Sequence, residues 1–231
     1  MSARNFFNTG RKIVAIGRNF SEHAKELGNA VPTTPFFFLK PTSSFLANGG
    51  SIEVPQGCDV HHEIELAAII GREARDVPAS KAMDYVDGYA LAIDMTARDL
   101  QAKAKAKGLP WSAAKGFDTF TPIRQAIFID FIPKSAISDP QNVDLWLKVN
   151  DTIKQSGNTK DMIFETSALI AYVSTIMKLE AGDVLLTGTP SGVGPIRPGD
   201  IVTAGLKPFG AEKDLINLKF DVIERKGNYK D

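Results

Sequence analysis

The sequence predicts a mainly β fold with a few helices, of the α+β class. Short apolar runs bounded by turn residues recur from end to end. Helical spacing is confined to three stretches. No internal repeat, low-complexity tract or Pro/Ser-rich linker interrupts the 231 residues. A single domain over residues 1–231 is therefore expected, with 1–10 as a short N-terminal extension.

Strands are expected at Ile13 to Ile16, Phe36 to Leu39, Ile64 to Ile70, Tyr89 to Ile93, Ala126 to Phe131, Leu145 to Val149, Val184 to Leu186 and Leu218 to Val222. Each is a short apolar run between turn signals. Helices are expected at Ser21 to Leu27, Ala97 to Lys107 and Ser167 to Met177. Gly28 and Gly108 close the first two, because glycine takes the left-handed conformation that ends a helix. Asn150 and Asp151, between Leu145 to Val149 and the polar Thr152 to Gln155, predict a hairpin turn.

A hydrophobic content of 43% is ordinary for a globular chain with a core. Lysine plus arginine and aspartate plus glutamate both total 27, so no overall basic field gathers nucleic acid or an anionic membrane. No apolar run approaches the roughly 18 residues of a membrane span. A small-molecule partner is expected instead. Cys58 is the only cysteine, which excludes an intramolecular disulfide and fits a reducing compartment. Before the first acidic residue, Glu22, stand Arg4, Arg11, Lys12 and Arg18 with Phe6 and Phe7, a composition found in mitochondrial presequences and equally in ordinary basic N-termini. The protein is expected to be intracellular, mitochondrial in a eukaryote and cytoplasmic in a bacterium.

The segment His61 to Ile70 carries the chemistry. A strand's period of two puts Glu63 and Glu65 on one face, with Ile64, Leu66, Ala68 and Ile70 on the other. Ala67 and Ile69 make the following stretch apolar on both faces, so the strand is expected inside the fold, where unpaired carboxylates are costly. A bound cation removes that cost; a solvated face carrying two glutamates is the alternative for Glu-x-Glu alone. Asp94 shifts the balance, since it closes the next apolar run, Tyr89 to Ile93. Three carboxylates without a cysteine or paired-histidine ligand pattern favour a hard ion, Mg²⁺ first and Mn²⁺ second, and fit zinc poorly. Asp99, three residues after Thr96, is assigned to a capping box with Thr96 and kept out of the metal site. The glycine-rich Gly188 to Gly194 lacks the Gly-Lys-Ser/Thr of a nucleotide loop.

Taken together, Gly17-Arg18-Asn19-Phe20, Phe38-Leu39-Lys40-Pro41, His61 to Leu66, Asp94 to Asp99, Gly108-Leu109-Pro110-Trp111, Ala114-Lys115-Gly116-Phe117 and Leu186 to Gly194 resemble the fumarylacetoacetate hydrolase family. The likeness is to its short branch of acylpyruvases, oxaloacetate decarboxylases and oxaloacetate tautomerases, and it spans nearly the whole chain. It implies the mixed β-sandwich roll of that family's C-terminal domain. It also implies Glu63, Glu65 and Asp94 as metal ligands, in agreement with their spacing.

The resemblance further implies His23 and Glu26, three apart on a helix, as a catalytic dyad, with Lys115 as a catalytic lysine. Arg98 and Gln101, one helical turn apart, fall where the family has side chains that contact the substrate or stand behind those that do, Arg98 being equally an anchor for the metal-bearing strand end. Arg18 is assigned to substrate binding with them, and the Gly188 to Gly194 loop offers backbone N–H groups and the Thr189 hydroxyl to a carboxylate. One departure is Phe20, where many members have tyrosine. The activities implied are acylpyruvate C–C hydrolysis, oxaloacetate decarboxylation and oxaloacetate keto–enol tautomerisation, all through the enol or enolate of a small 2-oxo acid, in a homodimer. The alternatives are a hydratase or isomerase of aromatic degradation, which uses a similar three-carboxylate site, and a non-catalytic relative.

Overall fold

The computed structural model describes residues 5–26, 28, 30–123 and 131–229. Its organising strand is Ile64–Ile70, buried at every position. Ile64, Leu66, Ala68 and Ile70 enter the main core, while Ala67 and Ile69 join a second cluster with Ile13, Ala15, Ala90 and Ala92. Because successive side chains alternate faces, burial on both sides places this strand in the middle of a covered sheet.

That sheet runs Phe36–Lys40, Ile13–Gly17, Val184–Leu186, Ile64–Ile70, Val86–Ile93, Thr121–Ile123, Phe45–Ala47, and Ile132–Pro133 also pairs with Val86–Ile93. Ile13–Gly17 is parallel to Val184–Leu186, and Phe45–Ala47 to Thr121–Ile123; the other neighbours are antiparallel. A second sheet runs Thr152–Asn158, Val143–Val149, Ile201–Pro208, Ile216–Glu224, Ser51–Val54. Leu145, Leu147, Val202, Leu206 and Phe220 of that sheet share one core with Ile64 and Leu66 of the first. Three short strands, Gly194–Pro195, Val60–His62 and Thr96–Ala97, form a small third sheet. This is the mainly β roll the sequence predicts.

The hairpin between Val143–Val149 and Thr152–Asn158 turns where expected. Asn150 and Asp151 have φ of 50° and 62°, the paired positive values of a type I′ turn. The three expected helices form as Ser21–Glu26, Arg98–Ala106 and Thr166–Ile176. The last buries Leu169, Ile170 and Val173. Of the expected strand Ala126 to Phe131, all but Phe131 lies outside the described residues. No helix among the described residues is long and apolar enough to cross a membrane.

The Thr96/Asp99 capping box is not formed. Thr96 is drawn into the small sheet opposite His61, and its hydroxyl donates to the Asp94 carbonyl at 3.3 Å. Ala97 is the N-cap, and Asp99 instead accepts the Asp59 N–H at 3.0 Å.

Asp183 anchors the sheet's far end. Fully buried, it accepts the Arg11 and Lys12 N–H groups at 3.2 Å and the Glu180 N–H at 2.8 Å, and it pairs with the Lys12 ammonium. Asp183→Ala strands those donors, so unfolding in urea is expected to show a loss of about 3 kcal/mol. A loss under about 0.5 kcal/mol contradicts this anchoring role.

Candidate metal centre and active site

Sheet register assembles the acids. Ile64 pairs with Ile93 and Glu65 with Ala92, and the Asp94 N–H donates to the Glu63 carbonyl at 2.8 Å. Residues directly opposite in antiparallel strands share a face, so Asp94 joins Glu63 and Glu65. All three are buried, and each offers a carboxylate oxygen within 4.8 Å of the others.

Cations surround two of the three. Lys115 Nζ lies 3.0 Å from Glu63 Oε2 and 2.6 Å from Asp94 Oδ2. Arg98 pairs with Glu63, and Lys40 with Asp94. Burial works to raise Glu63, but Lys115, Arg98 and His23 outweigh it and hold the carboxyl well below the usual range. Burial likewise works to lower Lys115, but Asp94 and Glu63 hold it above its ordinary value, so it stays an ammonium. Lys40 is lowered, chiefly by burial.

Glu65 differs. Among the described residues no lysine, arginine or histidine forms an ion pair with it; the Gly188 N–H donates to its Oε2 at 2.6 Å. Burial, then the charges of Asp94 and Glu63, push its carboxyl well above the usual range. A buried acid without a counter-ion, beside two others and among oxygen donors only, fits a hard divalent cation.

A cavity of about 170 Å³ opens onto Glu63 and Glu65. Arg18, His23, Arg98, Gln101, Lys115 and Thr189 line it as well. Asp94 stands behind, in contact with Lys115. Glu26 reaches the site through His23, whose Nδ1 lies 3.3 Å from its Oε2. The Gly192 N–H approaches both Glu26 oxygens, at 3.0 and 3.2 Å, tying the helix Ser21–Glu26 to the Gly188 to Gly194 loop. Gly188 has φ of +100°, and a Cβ there would lie 2.7 Å from that of Asn19, so glycine is required where its N–H meets Glu65. Arg98 Nη1 donates to Gln101 Oε1 at 2.7 Å, so these two act as a unit.

The fold thus brings every expected site residue to one place. Lys40, Phe38, Trp111 and Gln155, four residues to which the sequence analysis gave no role, join them. Lys40 closes the strand Phe36–Lys40, and its one hint was a charged residue ending a run of four apolar ones. Phe38 and Trp111, 5.5 Å apart between ring centroids, form an aromatic wall of the cavity. Gln155 lies on the second sheet yet bonds to Thr189, and nothing local in the sequence points to it. Phe20, the departure noted in the sequence, is not among the residues lining the cavity: it is buried in the main core and bridges to Met162.

The family model described as fumarylacetoacetate (FAA) hydrolase C-terminal matches residues 12–217. The mitochondrial oxaloacetate decarboxylase of Dictyostelium discoideum is 56% identical over 225 residues, covering 96% of this chain and 99% of that one. The mitochondrial oxaloacetate tautomerase FAHD1 of Arabidopsis thaliana is 56% identical over 223 residues, covering 96% and 95%. Among solved structures, fumarylpyruvate hydrolase from Pseudomonas aeruginosa in complex with Mn²⁺ and pyruvate aligns with a TM-score of 0.83 at 32% identity, covering 93% and 90%. Fold, site and sequence agree that the chain belongs to the fumarylacetoacetate hydrolase family.

Proposed function

We propose that this protein is a divalent-metal-dependent enzyme acting on the enol or enolate of small 2-oxo acids, with oxaloacetate tautomerisation and decarboxylation foremost and acylpyruvate C–C hydrolysis by the same groups. The observation that carries the reading is one cavity shared by a buried carboxylate trio, a fixed ammonium and a histidine–glutamate pair. The names of the two relatives at 56% identity support oxaloacetate as substrate and a mitochondrial location.

Glu63, Glu65 and Asp94 would hold the ion, Mg²⁺ by their all-oxygen chemistry and Mn²⁺ as substitute, as the Pseudomonas aeruginosa complex supports. When bound, it supplies Lewis acidity, polarising the ketone of a 2-oxo acid and favouring negative charge on its oxygen. Lys115, whose ammonium pairs with Asp94 and Glu63, adds a second positive charge, and the reaction still needs a base. His23 takes that role. With Nδ1 turned to Glu26, Nε2 is the nitrogen free to move a proton.

In tautomerisation, His23 takes a proton from the carbon next to the ketone and the enol oxygen gains one; the reverse restores the ketone. In hydrolysis, His23 takes a proton from the water that attacks the distal acyl carbonyl, and the C–C bond breaks to a carboxylic acid and the pyruvate enolate. Decarboxylation breaks a C–C bond without a base: CO₂ leaves, and the enolate then gains a proton. Arg18, Arg98, Gln101 and Thr189 would hold the substrate's anionic oxygens. A homodimer is part of the proposal, checked by sedimentation.

Three assays on the purified protein test it: decay of oxaloacetate enol absorbance, pyruvate release from oxaloacetate, and pyruvate release from acylpyruvates. Each activity present is expected to vanish on chelation and to return with Mg²⁺ or Mn²⁺. Full activity in the metal-free protein, or none on any substrate with either ion, contradicts the proposal.

A further inference from the structure

Gln155, on the strand Thr152–Asn158 of the second sheet, is fully buried and makes four hydrogen bonds. Its Oε1 accepts from the Ile64 N–H at 3.0 Å and from His62 Nδ1 at 2.9 Å. Its Nε2 donates to Thr189 Oγ1 at 2.8 Å and to the Pro190 carbonyl at 2.9 Å. The amide has only one workable orientation. A backbone N–H can only donate and a backbone carbonyl can only accept, so the oxygen must face Ile64 and the nitrogen Pro190.

The sense of the other two bonds follows. His62 Nδ1 carries a proton, and Thr189 Oγ1 receives one from Gln155. The hydroxyl proton of Thr189 is left over, and among the described residues no acceptor takes it. Thr189 lines the cavity with Glu63, Glu65 and Lys115.

We propose that Gln155 is a positioning residue that fixes Thr189 as a hydrogen-bond donor to a carboxylate oxygen of the bound 2-oxo acid. This rests on the functional reading above and assigns the direction of one bond within it. The two groups on Gln155 Oε1 belong to His62 and Ile64, which flank Glu63. One side chain thereby sets the strand presenting a carboxylate against the loop presenting the anion donor. That loop is also held by Gly188 on Glu65 and Gly192 on Glu26, so changing Gln155 turns the hydroxyl without releasing the loop.

Gln155→Glu keeps the size and the acceptor for Ile64 but puts an oxygen opposite Thr189, whose hydroxyl then donates inward, and removes the donor to the Pro190 carbonyl. With oxaloacetate and Mg²⁺, Gln155→Glu and Thr189→Val are each expected to raise KM about ten- to a hundredfold, the loss of one hydrogen bond to a charged group. Their kcat is expected to stay within about threefold. Thr189→Ser, which keeps the hydroxyl, recovers most of the affinity lost in Thr189→Val.

In a double-mutant cycle, Gln155→Glu adds no further rise in KM once residue 189 is valine, because its effect passes through that hydroxyl. Equal factors in both backgrounds, with the wild type active, overturn the role of Gln155 alone. Should Gln155→Glu fail to fold, equal KM for Thr189→Val and Thr189→Ser overturns the donor role without it. A wild type that neither turns over oxaloacetate nor binds pyruvate with Mg²⁺ or Mn²⁺ overturns the functional reading and this assignment together.

Discussion

Glu65→Gln is expected to abolish tautomerisation, decarboxylation and hydrolysis together, each kcat/KM falling at least about a thousandfold. The substitution keeps the side chain's shape and an acceptor for the Gly188 N–H while removing a charge the metal needs. The fold is expected to hold. Burial and the charges of Asp94 and Glu63 already press the Glu65 carboxyl toward its neutral form, so a neutral amide relieves repulsion in the metal-free protein. Thermal unfolding without metal is expected at or above the wild-type temperature. Retention of more than a tenth of any one activity contradicts a metal centre shared by all three reactions.

His23→Asn is expected to separate those reactions. Tautomerisation and hydrolysis need a base on carbon or on water, and both are expected to fall about 10²- to 10⁴-fold. Decarboxylation releases CO₂ without that base and is expected to fall no more than about tenfold. Metal affinity is expected to stay unchanged, since His23 meets Glu26 and is not among the acids that converge. An equal loss in all three activities contradicts the assignment and makes His23 a structural part of the centre. Glu26→Gln, which keeps an oxygen for the imidazole, is expected to follow the same pattern with smaller losses.

What the sequence revealed and what it hid divide along local against long-range cause. Glu63 and Glu65 are legible because strand period is local, and Asp94 because it ends the next strand. Asn150 and Asp151 are legible because the turn demands residues tolerant of positive φ. His23, Glu26 and Lys115 have no such signal, and only likeness to a family singles them out. Lys115 ends the short helical turn Ser112–Lys115, and its ammonium is buried by acids 21 and 52 residues away in sequence.

The strand Ile201–Pro208 went unrecognised because Gly205 and Pro208 read as turn residues. In the fold Gly205 makes room for the Trp146 ring, which a Cβ would approach to 2.3 Å. The Thr96/Asp99 capping box failed for a related reason: pairing with Val60–His62 claimed Thr96 before the helix began. Gln155 is the extreme case. A polar residue just after a hairpin turn looks solvated, yet the packing of the second sheet on the first buries it completely.

Titration of the metal-free protein with Mn²⁺ and Mg²⁺ in a calorimeter tests the central claim most directly. One ion per chain is expected to bind to the wild type, none to Glu65→Gln, and the wild type alone is expected to gain stability. At a hundredfold excess over Kd the gain is about 2.7 kcal/mol, or about 5 to 10 °C for a chain of this length. Wild-type protein that binds neither ion, or Glu65→Gln that binds as tightly as the wild type, would contradict the account at its root.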